Sequence, residues 1–306
     1  MESSHSPPGI IGSASIHADT HEAPPSAVRL SLLGGFSLAI GDERLTVPPS
    51  SERMLAFVAL SCHGAVPRAL VAGTLWPDAP EHRAYANLRS ALSRLQHTGR
   101  EALDVTISTV RLAREVSVDF HRARSLAHLI LDPRASATDA GLGAATVPAL
   151  SVDLLPGWYE DWALLEAEGW RDLRTHALEQ LSADFLKVRR FAEAVTAAHA
   201  AVRADPLRES SQASLIRAHL AEGNTSDALH GFERYERRLR AETGLRPTPG
   251  LRRLVDGPVG ADAAGGRLST SGEGPAGIGP VSGRSGRSAA TNQYIWHVRR
   301  HLGRAR

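Results

Sequence analysis

The chain has 306 residues, enough for two ordinary domains that each bury a core. Its 42% hydrophobic and 22% charged content is normal for a soluble globular protein, and a formal net charge of +2 excludes a chain-wide polyanion-binding field. Cys62 is the single cysteine, so no disulfide within the chain and no thiolate metal site can form, which suits a reducing cytoplasm.

Met1 to Ser26 is rich in Ser, Pro, His and Ala without periodicity and reads as a disordered leader. It lacks the basic and apolar regions of a secretory signal, and the longest apolar run, Met54 to Leu60, is too short to span a bilayer. The expected location is the cytoplasm.

Val28–Leu33, Phe36–Ile40 and Leu45–Val47 read as short strands, with Gly34-Gly35 and Gly41-Asp42 supplying the turns. Leu30, Leu32, Phe36, Leu38 and Ile40 alternate as a half-buried sheet requires. Pro48-Pro49-Ser50 opens a helix carrying Met54, Leu55, Phe57 and Val58, closed by Gly64. Pro67 suits the first turn of a second helix bearing Leu70, Val71 and Leu75, ended by Trp76 as a core or hinge residue. Asp78-Ala-Pro-Glu81 is an aspartate version of the capping box and predicts a third helix from near Ala79 to about Thr98-Gly99. After it, β-branched residues from Asp104 to Arg111 predict a hairpin with its tip at Ser108-Thr109. Strands, three helices and a hairpin, in that order, describe a winged helix-turn-helix with an extra N-terminal sheet.

From Val118 to about Val255 the pattern is helical, interrupted by the Ala135–Thr146 loop and by Pro156-Gly157. Leu181 and Leu215, Leu186 and Leu220, and Ala194 and Ala228 are each offset by the tetratricopeptide period of 34 residues. Stacked helix pairs would give this segment a groove-bearing surface. Beyond Asp256 the chain turns Gly/Ser/Ala-rich and reads as a disordered tail ending in YIWHVRRHLGRAR.

Two stripes divide the third helix. Tyr85, Leu88, Leu92 and Leu95 form an apolar stripe for the core. Arg83, Asn87, Ser90, Arg94 and His97 form a polar one, flanked by Arg89 and Ser93. These are residue types that reach phosphates and base edges: Arg forks onto guanine, Asn onto adenine, and Ser bonds either base or backbone. A polar stripe opposite an apolar one is also what any solvated helix shows. Two features tip the balance towards DNA. No carboxylate occurs from His82 to Arg100, where one would repel phosphates. The helix also holds the recognition position between a helix-turn entry and a hairpin.

VRLSLLGGFSLAIGDERLTVPP, LWPDAPEHRAYANLRSALSRLQ, VSVDFHRARSLA and LLPGWYEDWALLE together resemble the SARP-type (antibiotic regulatory protein) transcriptional activators of actinobacteria. ADPLRESSQASLIRAHLAEGN and GFERYERRLRAETGLRPTP resemble the bacterial transcriptional activator domain of those proteins, and the similarity runs from Val28 to about Val255. The resemblance implies a mainly α fold, with an α+β N-terminal part. An OmpR-type winged helix would be joined to a tetratricopeptide-like α-helical domain. It also implies binding to direct repeats in double-stranded promoter DNA and recruitment of RNA polymerase. Carried over by position, the DNA-binding residues are Arg83, Asn87, Arg89, Ser90, Ser93 and Arg94. The expected organisation is a disordered leader at 1–26, a winged helix-turn-helix DNA-binding domain at 27–117, the activator domain at 118–255 and a disordered tail at 256–306. Two departures stand out: the predicted wing tip lacks glycine, and the tail has no counterpart in the resemblance.

Other candidates read as structural. Trp158, Tyr159 and Trp162 suggest an aromatic cage, but Trp158 and Trp162 lie one helical turn apart and are expected to pack together. Asp19, His21 and Glu22 are metal-capable but lie in the leader, so no metal is assigned. There is no GxxxxGK[ST] loop, HExxH, GxSxG or paired-carboxylate site, so neither a cofactor nor an enzymatic activity is expected. Arg299, Arg300, Arg304 and Arg306 near the end read as a solvated tail without specific role. One winged helix offers limited contact area, so a homodimer on repeated half-sites is expected. The alternative is a protein-interaction module whose winged helix no longer binds DNA; burial of the Arg83/Asn87/Ser90/Arg94 stripe would favour it.

Overall fold

The computed structural model describes residues 28–61, 64–95, 99, 101–134 and 145–263, with side chains described as far as residue 257. The expected leader, most of the tail, Cys62 and His97 lie outside the described residues.

The chain opens with β1 (Val28–Ser31), β2 (Ser37–Ile40) and β3 (Glu43–Leu45), an antiparallel meander in which Leu30 faces Leu38 across the first pair. Leu30, Leu32 and Leu38 are fully buried, as their alternation predicts. Gly34 turns this hairpin at φ 77°, and a Cβ there would lie 3.3 Å from Val152 Cγ1. The backbone conformation therefore favours glycine, and a side chain there would also crowd Val152.

Next come α1 (Pro49–Leu60), β4 (Val66–Pro67), α2 (Arg68–Leu75) and α3 (Glu81–Arg94). Pro67 ends a short strand and caps α2 instead of occupying its first turn. The capping box does not form: Pro80 is the N-cap of α3, with no side-chain cap, and its carbonyl accepts from the amides of Arg83 (2.8 Å) and Ala84 (3.0 Å). A proline ring disfavours helical geometry in the residue before it, so Ala79 cannot enter the helix and Asp78 is left outside. At the far end Leu95 is extended, so α3 stops at Arg94, short of the expected Thr98-Gly99.

The hairpin is β5 (Leu103–Val105) with β6 (Thr109–Leu112), and β4 joins it to give the order β4-β6-β5. Its tip is Thr106-Ile107-Ser108 rather than Ser108-Thr109. Thr106 closes it without glycine: its Oγ1 accepts from the amides of Thr109 (3.0 Å) and Ser108 (3.3 Å), while its own amide donates to the Thr109 carbonyl at 2.9 Å. Val118, expected to start the helical part, instead ends β7 (Val116–Val118), which runs parallel to β1 and completes the sheet β3-β2-β1-β7.

The helical part comprises α4 (Asp119–Leu131), α5 (Thr146–Leu150), α6 (Asp161–Lys187), α7 (Phe191–Ala204), α8 (Glu209–Glu222), α9 (Thr225–Thr243) and α10 (Pro249–Ala263). Helices α6 to α9 pack each on the next in chain order. The 34-residue register is visible in burial: Leu181 and Leu215 are buried, Leu186 and Leu220 half-buried, and Ala194 and Ala228 fully buried. Equivalent positions do equivalent packing, as a tetratricopeptide-like array requires. The architecture is thus a winged helix with an N-terminal sheet, followed by a tetratricopeptide-like helical array.

One apolar cluster runs from Leu30 and Met54 through Leu88 to Leu150, Trp170 and Leu181, so sheet, winged helix and the first helical layers share a core. A smaller cluster gathers Ile216, Phe232, Tyr235 and Leu251. Backbone hydrogen bonds cross between the parts beside Leu33. Leu33 bridges to Leu154, the Gly34 amide donates to the Asp153 carbonyl at 2.8 Å, and the Leu155 amide donates to the Leu32 carbonyl at 2.9 Å. Leu155 holds φ 43°, a strained value for leucine, in return for full burial of its side chain.

Candidate nucleic-acid interface

The orientation of α3 follows from its small residues. Ala84, Leu88, Ala91, Leu92 and the following Leu95 are buried, whereas Tyr85 is only half-buried. Leu88, Leu92 and Leu95 of the expected stripe thus reach the core, and Ala84 and Ala91 share its seam. Their size lets α1 approach closely: Ser51, fully buried on α1, donates its hydroxyl to the Ala91 carbonyl at 2.8 Å. That bond and the leucines fix the rotation of α3 about its axis, and hence what it shows to solvent.

The opposite face carries the predicted residues. Arg83, Asn87, Arg89, Ser93 and Arg94 are exposed, and Ser90 is half-buried. From Arg83 to Arg94 the ridge runs about 16 Å along the axis, at 1.5 Å per residue. The stripe is not sealed against the helical array. Arg53, Arg111, Arg174 and Arg208 elsewhere are each matched to a carboxylate. No carboxylate among the described residues pairs with Arg83, Arg89 or Arg94, so those three guanidiniums keep their donors free for an outside anion. Ser93 is less available than its neighbours, because its hydroxyl donates to the Ser90 carbonyl at 3.1 Å. One acid, Glu81, sits exposed at the helix start, where it complements the dipole.

The wing stands beside this helix through α2. The Arg68 amide, first in α2, donates to the Ser108 carbonyl at 2.8 Å. The tip presents Ile107, 97% exposed, and Arg111 behind it is held by Asp104 at 2.6 Å. Sequence reasoning placed no residue of the wing in the site; the missing glycine hid a tip that Thr106 closes by other means.

The aromatic residues behave as packing, with one exception. Trp158 and Trp162 meet edge to face at 5.9 Å; Phe36 stacks on Trp158 and Phe57 lies edge-on to Trp162. Trp158 precedes α6, so the pair is joined by a loop entering a helix and not by one helical turn. Tyr159 points away, 82% exposed. A groove of about 530 Å³ beside it is lined by Pro49, Glu52, Arg53 and Glu160. Its arginine and Glu160 are engaged with each other at 2.8 Å, and burial pushes the Glu52 carboxyl above the usual carboxylate range. Among the described residues no helix is long and apolar enough to cross a membrane, and no group of three or more His, Cys, Asp or Glu is placed to hold a metal.

Residues 136–257 match the bacterial transcriptional activator domain. Regulatory protein AfsR of Streptomyces griseus is 28% identical over 261 residues, covering 78% of this chain and 25% of its own length. AfsR of Streptomyces coelicolor is 29% identical over 265 residues, covering 82% of this chain and 26% of its own. The chain therefore spans about a quarter of the length of these curated relatives. EmbR of Mycobacterium tuberculosis, solved in complex with a low-affinity phosphopeptide, shares the fold with a TM-score of 0.57 at 20% identity, over 77% of this chain and 65% of that one. Both curated relatives are named as regulatory proteins. Over residues 136–257 the chain is similar to the bacterial transcriptional activator domain, and over most of its length it is similar to the AfsR regulatory proteins, in line with a resemblance to the SARP-type regulators.

Proposed function

We propose that the chain is a sequence-specific, DNA-binding transcriptional activator acting in the cytoplasm at the nucleoid. Helix α3 reads the major groove of a promoter half-site through Arg83, Asn87, Arg89, Ser90, Ser93 and Arg94. The division of labour follows the expected domains, with residues 27–117 holding DNA and 118–255 providing protein contacts. Two copies occupy direct repeats as a homodimer on DNA, and the helical array recruits RNA polymerase. The observation that carries this reading is the exposed ridge of α3, whose arginines are matched to no carboxylate of the described residues. In a sequence whose net charge is only +2, such a face is a local match for phosphates and base edges.

Footprinting of genomic fragments with the purified chain tests the proposal. Protected direct repeats about one helical turn apart, upstream of transcribed genes, are expected. Absence of protection at low ionic strength would remove the DNA-binding claim. Exposure of the ridge takes away the observation that would have favoured a pure protein-interaction module.

A further inference from the structure

Helices α7 and α8 meet across two imidazoles. His199 of α7 and His219 of α8 pack edge to face, with ring centroids 5.7 Å apart and planes at 80°. His219 is 9% exposed, and its Nδ1 is buried without a hydrogen-bond partner. His199 is half-buried. The charged groups facing His199 are Arg203 on its own helix, Arg234 and Asp227 on α9, and His219 when protonated. Two guanidiniums against one carboxylate make this a poor place for another cation.

We propose that the His199–His219 contact is a proton-responsive joint in the helical array: a neutral His199 holds α7 against α8, and its protonation loosens that seam. An imidazolium at His199 would lose solvation and lie beside the His219 ring, Arg203 and Arg234. Burial, the neighbouring His219 and the two arginines all hold the His199 pKa below the ordinary histidine value, while Asp227 opposes them. The sign follows. An unfolded histidine takes its proton near pH 6.5, before the folded one does. The unfolded chain therefore binds more protons as pH falls, and stability is full above about pH 6.5 and is lost as pH drops through the folded value. His128 on α4 is also held low by burial and Arg124, so the test must separate the two sites.

Thermal unfolding of the full chain should be followed by far-UV circular dichroism at pH 7.5 and 5.5. The chains compared are the unsubstituted protein, the double variant His199→Gln/His219→Phe, and His230→Gln, which changes an exposed histidine of α9. The drop in Tm between the two pH values should shrink by about 2–4 °C in the double variant and stay unchanged in His230→Gln. An undiminished drop in the double variant overturns the proposal. Should the double variant fail to fold, amide-exchange protection factors of the unsubstituted chain decide. Protection lost selectively in α7 and α8 at pH 5.5 supports the joint, and loss spread evenly over the β1–β2 sheet as well overturns it.

Discussion

Arg94 ends α3, where a cation is favoured by the helix dipole, and its guanidinium is free for a ligand. If it forks onto a base, Arg94→Ala should weaken specific binding by about 1–3 kcal/mol and relax preference at one position of the half-site. Gel shifts on the footprinted repeat check this, and an unchanged affinity removes Arg94 from the reading face. Arg94→Lys keeps the charge and loses the fork, so affinity for unrelated DNA should hold while discrimination falls. Ser51 acts behind the face. Ser51→Ala removes a buried donor to the Ala91 carbonyl and should cost about 1 kcal/mol of stability, read by urea denaturation. An unaltered midpoint would mean that the leucines alone hold the helix.

Among the elements, α3 was the most legible in the sequence, because Leu88, Leu92 and Leu95 repeat at helical spacing and the polar residues fall opposite them. Its ends were not. Asp78 and Glu81 have capping chemistry, but Pro80 between them controls the backbone of Ala79, a steric effect that outweighs a side-chain preference. Strand β7 was hidden for another reason: three residues are too few to show alternation, and its pairing with β1 joins positions far apart in the chain. The junction after it was equally silent. Asp119 opens α4, and its carboxylate accepts from the amides of Leu32 (2.8 Å), Leu33 (3.3 Å) and its own helix at Phe120 (2.6 Å). One side chain thus satisfies the end of β1 and the start of α4. Asp119→Ala leaves those amides short of an acceptor and should destabilise the chain by about 1–3 kcal/mol. A denaturation midpoint equal to that of the unsubstituted protein would show that water replaces the carboxylate at no cost.

At the scale of the molecule, the shared core links α3 to the helical array. Leu88 belongs to the same apolar cluster as Trp170 and Leu181, so the winged helix cannot melt without exposing the faces of α4 and α6. Unfolding followed by tryptophan fluorescence and by far-UV circular dichroism should give coincident curves for these parts; two separated transitions would mean that the cluster is not cooperative. On the proposed reading, a ridge held on such a frame would meet DNA as a preformed surface, and its electrostatics would then set the response to salt. Arg83, Arg89 and Arg94 are unmatched by carboxylates, and each one that neutralises a phosphate releases bound counterions. With all three engaged, the logarithm of the binding constant should fall against the logarithm of salt with a slope of about −3 per protomer, and about twice that for a pair on a direct repeat. Arg89→Ala should lower the slope by about 1 per protomer if it contacts phosphate, and leave it unchanged if it reads a base. Fluorescence anisotropy across a salt series measures both quantities. A slope near zero would show that the ridge arginines do not neutralise phosphates, even where footprints are seen.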